Sequence, residues 1–415
     1  MICKGGNIAG FLADTWWFAL SKRLSESDFK DLAVLRAEQG FSAVQLVVGV
    51  PPEVGPENEN AKSPVGFPWT LDGHFNQEYL EFARERIHYL NDLGFVVIAY
   101  GAWGHQIEWL SRERMTGWWL KIIDALDALN VIYCLCGESS LWVGEASKLL
   151  PDKSTDAFAR SHVLPRLHPR LKGYLVGTIK RLAKQLHQSR FEQRRDDWSF
   201  VLEKISQRTD KPIIVHPTVD ETGHEAVFNP ELLSVNTAQT GHDASARNRL
   251  WRLPLALLNE HPHKAFINLE PWYEGITDRF WAEDQLFSYW VSMLAGSVSY
   301  CYGAHGIWNV GDGKFLAHWG KQTFAQARAL DTPRLIGLSH KQCLKRSDPS
   351  GRTFCETAGG ELITIARGTE EKATWFFPDI ARATRVPHGK VWLPLQGAFL
   401  HGVPRRGQVV IFNND

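Results

Sequence analysis

Two short stretches of the 415-residue chain run an apolar strand straight into a carboxylate. In one, Ile132, Tyr133, Cys134 and Leu135 lead to Gly137-Glu138; in the other, Phe266, Ile267 and Leu269 lead to Glu270-Pro271-Trp272-Tyr273. A single acid at a strand end can simply accept N–H groups of its own loop or pair with an arginine. Two such acids, distant in sequence and flanked by aromatic residues, suit the cleavage of a glycosidic bond. That reaction needs one carboxyl group to protonate the leaving oxygen and another to attack the anomeric carbon or activate water. Apolar neighbours such as Leu135 and Trp142 would disfavour the charged form of Glu138, as a proton donor requires. Glu274 competes with Glu270 for the second role, and Glu270 is preferred because it ends the strand itself.

The elements that would carry these acids alternate between strand and helix from the N-terminus to about residue 330. The first strand, 10–14, precedes a helix opened by Ser25-x-x-Asp28, with Phe29, Leu32 and Leu35 on its apolar face and Gly40 at its end. Strand two, 43–48, leads into a Pro/Gly/Asn-rich loop over 51–75, and strand three, 95–100, reaches Trp103-Gly104-His105. The next helix carries Met115, Trp119, Ile122 and Leu126 on one stripe. Strand four ends at Glu138 and is followed by a polar, basic, helical expansion over about 141–210. Strands five (211–215) and six (233–236) lead to His216 and to Gln239-Thr240-Gly241-His242; strand seven ends at Glu270, and strand eight (297–302) leads to His305 and Trp308. Eight strands with polar or aromatic C-terminal ends predict a (β/α)8 TIM barrel over 1–335. From about 340 the pattern changes to short runs separated by turns, which predicts a small C-terminal β-sandwich over 340–415.

Substrate contacts are expected from the strand-end residues Asp14, Trp16, Gln45, Trp103, His105, His216, Gln239, His242, Tyr273, Tyr302, His305 and Trp308. The chain has 17 Trp, several near strand ends, where indole faces can stack on the C–H faces of sugars or simply supply core area. Lys+Arg and Asp+Glu balance at 46 each, which removes the positive field that nucleic acid or an anionic membrane would need. The expected partner is a carbohydrate, with no nucleic acid and no membrane. The opening MICKGGNIAGFLADTWW has no basic segment followed by an apolar one, and the six cysteines are spread widely, so a cytoplasmic protein with reduced cysteines acting as small apolar fillers is expected. No metal or cofactor is expected: His-x-His is missing from the first strand, and His261-Pro262-His263 precedes strand seven rather than ending it.

The chain resembles the apiosidase-like glycoside hydrolases, barrel enzymes with a small C-terminal β-domain. Leu12-Ala13-Asp14-Thr15-Trp16-Trp17 stands where that family has LGDTAW, and Gln39-Gly40-Phe41-Ser42-Ala43-Val44-Gln45 stands for QGFNVVQ. Ala102-Trp103-Gly104 matches TWG, and Ala238-Gln239-Thr240-Gly241-His242 matches IQSGH. Leu269-Glu270-Pro271-Trp272-Tyr273-Glu274 matches GEPxYE, and Tyr302-Gly303-Ala304-His305-Gly306-Ile307-Trp308 matches YGxHxxW. The resemblance implies a retaining, exo-acting glycosidase with Glu138 as general acid/base and Glu270 as nucleophile. Where the family commonly has GGD, this chain has Cys136-Gly137-Glu138, and the side chain longer by one methylene is expected to alter which sugar or linkage fits. The alternative is a barrel that binds carbohydrate without cleaving it.

Overall fold

The computed structural model describes residues 8, 10–141, 188–219, 221–347, 351–369 and 372–413. Trp142, Cys3 and most of the expected helical expansion lie outside them. Eight parallel strands form one sheet: β1 (Leu12–Thr15), β2 (Ala43–Val47), β3 (Val96–Tyr100), β4 (Val131–Cys134), β5 (Ile213–Ile214), β6 (Asn236–Gln239), β7 (Phe266–Glu270) and β8 (Ser297–Tyr302). Their order, β5-β4-β3-β2-β1-β8-β7-β6, joins first strand to last and curls the sheet into a barrel. The strands are buried on both faces almost throughout, which is why they read as apolar runs rather than as alternating patterns.

No ladder joins β5 to β6 among the described residues. That seam is closed by single bonds instead: Ser234 N–H to the Ile213 carbonyl (2.8 Å), Thr237 Oγ1 to the Val215 carbonyl (2.5 Å), and Gly223 N–H to the Thr237 carbonyl (2.8 Å).

Helices α1 (Glu26–Glu38), α2 (Gln77–Asp92), α3 (Arg112–Leu126), α4 (Gln188–Ser206), α5 (Ala246–Glu260) and α6 (Ala282–Leu294) accompany the strands, and α7 (Thr332–Arg346) follows the barrel. In α1 the Ser25 side chain accepts from the Asp28 N–H at 3.1 Å, as the capping pattern predicts. Its buried stripe is Phe29, Leu32, Ala33 and, unexpectedly, Arg36, whereas Leu35 is only half-buried. The expected domain boundary near 335–340 falls inside α7, which Pro333 and Asp331 begin and which runs to Arg346.

The C-terminal part is one antiparallel sheet rather than two facing ones. It holds β9 (Arg352–Ala358), β10 (Glu361–Gly368), β11 (Ala373–Phe377), β12 (Lys390–Leu393), β13 (Ala398–Leu400) and β14 (Val409–Phe412) in the order β13-β12-β14-β11-β10-β9. A second sheet is unnecessary because Phe376 and Phe412 on one face pack against Phe287 and Trp290 of α6, joining the barrel core. The other face keeps a small cluster of its own around Phe377, Val391, Val409 and Ile411. Cys355 lies exposed on edge strand β9, unlike the buried Cys134, Cys136, Cys301 and Cys343, so it is not the apolar filler expected. No helix among the described residues is long and apolar enough to cross a membrane.

Candidate active site

Glu270 closes β7, where the pairing with β6 skips a residue: Ala238 faces Asn268, but Gln239 faces Glu270. Such an irregularity re-aims the side chains after it, and here it brings the Gln239 amide to Glu270 Oε1 at 2.8 Å. His242 Nε2 lies 2.7 Å from the same oxygen, and its Nδ1 accepts the Tyr273 backbone N–H at 3.3 Å. A ring nitrogen that accepts has no proton, so His242 carries a proton on Nε2 and donates it to Glu270. His216 Nε2 stands 3.7 Å from Glu270 Oε2. Burial alone would raise the Glu270 carboxyl. The His242 hydrogen bond, with His216 and Tyr273 close by, outweighs burial and holds it below the ordinary carboxylate range. His216 is buried, with its pKa lowered to about 4 by desolvation, and is therefore neutral near pH 7.

Glu138 is set differently. It follows β4 by four residues in a turn, with φ of 45°, in the left-handed region that a residue with a side chain rarely occupies. Gly137 before it is required: a Cβ there would come within 2.4 Å of the Trp103 ring. With that ring lying over Gly137, Trp103 Nε1 donates to Glu138 Oε2 at 3.0 Å. The Gln239 amide nitrogen also reaches Glu138 Oε1 at 3.4 Å. One nitrogen thus bonds both acids, which puts those two oxygens no farther apart than its two bond lengths combined, about 6.2 Å.

Beside the two acids, Trp17, Tyr100, Trp103 and His216 form an aromatic cluster, with Trp17 edge-on to Trp103 at 5.2 Å and to Tyr100 at 4.8 Å. Trp17 and Tyr100 are absent from the sequence-based set of contacts. The doubled Trp16-Trp17 is the sequence signal for the aromatic cluster that Trp17 joins. At the end of β8, Gly303 leaves room for the Tyr273 ring, which a Cβ would approach within 2.4 Å.

The structure therefore brings Glu138, Glu270, Trp103, His216, Gln239, His242 and Tyr273 together. Other expected contacts have different duties. The Asp14 carboxylate is fully buried and accepts from Arg36 Nε at 2.6 Å, from Trp16 Nε1 at 2.8 Å and from the Thr15 N–H at 2.8 Å, so Asp14 and Trp16 are engaged in a buried ion pair. Gln45 lies inside the barrel, donating to Thr15 Oγ1 at 2.6 Å and to the Leu269 carbonyl at 3.0 Å, and accepting from the Tyr100 hydroxyl at 3.0 Å. It supports the residue before Glu270 from below. The Tyr302 hydroxyl turns to Glu274 Oε2 at 2.5 Å, while Thr332 Oγ1 donates to Glu274 Oε1 at 2.6 Å. Glu274, the rival for nucleophile, is thus a buried tie between β8 and α7, and burial raises its pKa. His105 packs edge-on against Trp109 at 4.9 Å, and His305 against Trp308 at 5.6 Å. Burial lowers the two histidines to about 3 and about 4. No group of three or more His, Cys, Asp or Glu side chains among the described residues could hold a metal ion.

The barrel is that of glycoside hydrolases. It is similar to the crystal structure of a glycoside hydrolase family 5 protein from Bacteroides vulgatus, with a TM-score of 0.70 at 15% identity, covering 98% of this chain and 89% of that one. It is equally similar to another solved structure described as a glycoside hydrolase, with a TM-score of 0.70 at 14% identity and coverage of 97% and 92%. Residues 4–331 match the apiosidase-like catalytic domain, so the chain belongs to the apiosidase-like family and is a glycosidase. No curated protein sequence matches it.

Proposed function

We propose that the protein is a retaining, exo-acting glycoside hydrolase in which Glu270 is the nucleophile and Glu138 the general acid/base. The observation that carries this reading is the Gln239 amide shared by both carboxylates, which holds two of their oxygens within about 6.2 Å of each other and supports two acids acting together on one glycosidic bond at the close spacing a retaining enzyme uses. The two environments fit the two roles. Glu270, held ionised by His242, is ready to attack the anomeric carbon and form a glycosyl-enzyme. Glu138, more exposed and bonded to the Trp103 indole, protonates the departing oxygen and then takes a proton from the water that releases the sugar. Trp103 and Trp17 supply apolar walls for the sugar, with His216, Gln239, His242 and Tyr273 as hydroxyl partners.

A panel of nitrophenyl furanosides and pyranosides selects the sugar, and proton NMR of the first product then tests the mechanism. The expected first product has the anomeric configuration of the substrate. An inverted product overturns the nucleophile assignment, and sugar binding without turnover across the panel favours a carbohydrate-binding barrel. Release of single sugars from an oligosaccharide, with no internal fragments, tests exo action.

A further inference from the structure

The turn that carries Glu138 is gripped from outside the barrel. Leu141 returns its N–H to the Glu138 carbonyl at 2.8 Å and gives its own carbonyl to Arg194 Nη1, on α4. Arg194 is 2% exposed, and its Nε donates to Glu108 Oε1 at 2.9 Å. Glu108 sits in the short helix Ile107–Leu110, just beyond the β3 extension that bears Trp103, and Arg190 Nε reaches the same carboxylate oxygen at 3.1 Å. Trp198, one turn further along α4, donates from Nε1 to the Gly104 carbonyl at 2.9 Å. Gly104 in turn bonds the Gly137 carbonyl through its N–H at 2.7 Å. It must be glycine, because a Cβ would come within 2.4 Å of the Glu138 carbonyl oxygen and 2.5 Å of that of Ser139.

Helix α4 is thus fastened to both sides of the acid's turn, to Leu141 on one and to Glu108 and Gly104 on the other. A buried guanidinium costs more than an apolar side chain unless its partners are fully placed, and its characteristic return is a fixed orientation. A main-chain carbonyl three residues beyond a left-handed Glu138 is a place where orientation matters.

We propose that Arg194, oriented by Glu108, is a positioning residue for the acid/base carboxylate, setting the backbone of the Glu138 turn so that its carboxyl meets the leaving-group oxygen. The proposal rests on the two-carboxylate reading above. It separates from mere structural support because an alkoxide leaving group needs the acid's proton and a dinitrophenolate does not.

The test compares kcat/KM for the methyl glycoside and the 2,4-dinitrophenyl glycoside of the sugar selected by the panel, in the wild type, Glu138→Gln, Arg194→Lys and Glu108→Gln. Arg194→Lys and Glu108→Gln are each expected to lose about 10-fold on the methyl glycoside and less than about 3-fold on the dinitrophenyl glycoside, as a carboxyl displaced by a fraction of an ångström would. Glu138→Gln is expected to show the same selectivity more strongly. If both Arg194→Lys and Glu108→Gln lose equally on the two substrates while Glu138→Gln is selective, the residues only stabilise the fold and the proposal falls. If Glu138→Gln shows no selectivity, the two-carboxylate reading fails and the proposal with it. Should one variant not fold, the other carries the comparison.

Discussion

The two carboxylates face each other across the barrel mouth but are held in opposite ways. Glu270 is the last residue of a strand, 6% exposed, and its oxygens meet side chains from the neighbouring β6 and the segments after β5 and β6. Glu138 stands beyond its strand in a left-handed turn and is partly buried, with the Trp103 indole and the Gln239 amide among the groups on its carboxylate and much of its support coming through the backbone. In the roles proposed above, the nucleophile Glu270 needs a permanent charge, so donors close to its oxygens suit it. The acid/base gains and loses a proton in each cycle, so its position must be fixed without committing its charge. Side-chain donors around Glu270 and backbone ties around Glu138 meet those two needs.

The comparison breaks most completely at Glu270. Glu270→Gln keeps the Gln239 contact but removes the proposed nucleophile, and turnover should fall about 10,000-fold or more on every substrate, activated or not. A loss confined to poor leaving groups would exchange the two roles. Next comes Gly137→Ala. The added Cβ collides with the Trp103 ring, the indole leaves Glu138, and kcat/KM should fall about 100-fold while Glu270 still reacts with an activated glycoside.

His242→Ala sharpens the other side. Without its hydrogen bond the Glu270 carboxyl rises from its lowered value, so the acidic limb of the kcat/KM profile should move to higher pH, with about a 10-fold loss near neutrality. An unmoved limb would mean that His242 does not hold the charge.

A smaller effect concerns stability. His105 is lowered to about 3, and His216, His305 and His340 each to about 4, from an ordinary value of 6.5. Between those values the unfolded chain takes up protons that the folded protein refuses. Stability that is complete above pH 6.5 is therefore lost as pH falls towards 4. The melting temperature should fall steadily over that range, with a shallower slope in His340→Gln, and a flat curve would contradict the buried neutral histidines. Glu274→Gln should do least, lowering stability by about 1–2 kcal/mol through its bonds to Tyr302 and Thr332 and leaving turnover within about 3-fold.

Much of this was legible along the chain. Apolar runs ending in acids placed β4 and β7 and their carboxylates, because a strand buried on both faces announces itself in consecutive residues. Strand-end position also found Gln239, His242 and His216. What the pattern could not supply was direction. Gln239 faces Glu270 only because the β6–β7 pairing skips Leu269, a relation between strands that neither segment contains. Asp14 looked like a hydroxyl partner until Arg36, on a helix otherwise read as apolar on that face, proved to be buried against it. Tyr302 and Glu274 both sit in well-matched motifs yet satisfy each other, and the C-terminal runs read as a sandwich because their periodicity does not say that one face will be covered by α6.

The seam between β5 and β6 gives the barrel a clasp. Seven neighbouring strand pairs share ladders, whereas this pair is joined by bonds such as that from the Thr237 hydroxyl to the Val215 carbonyl. A ring opens where it is pinned rather than welded, so backbone amides at 213–215 and 236–239 should exchange with deuterium sooner than those of β1 and β2. His216 follows one lip of that opening and Gln239 ends the other. Breathing of the barrel would therefore part the residues that surround Glu270 before it disturbs the rest of the sheet.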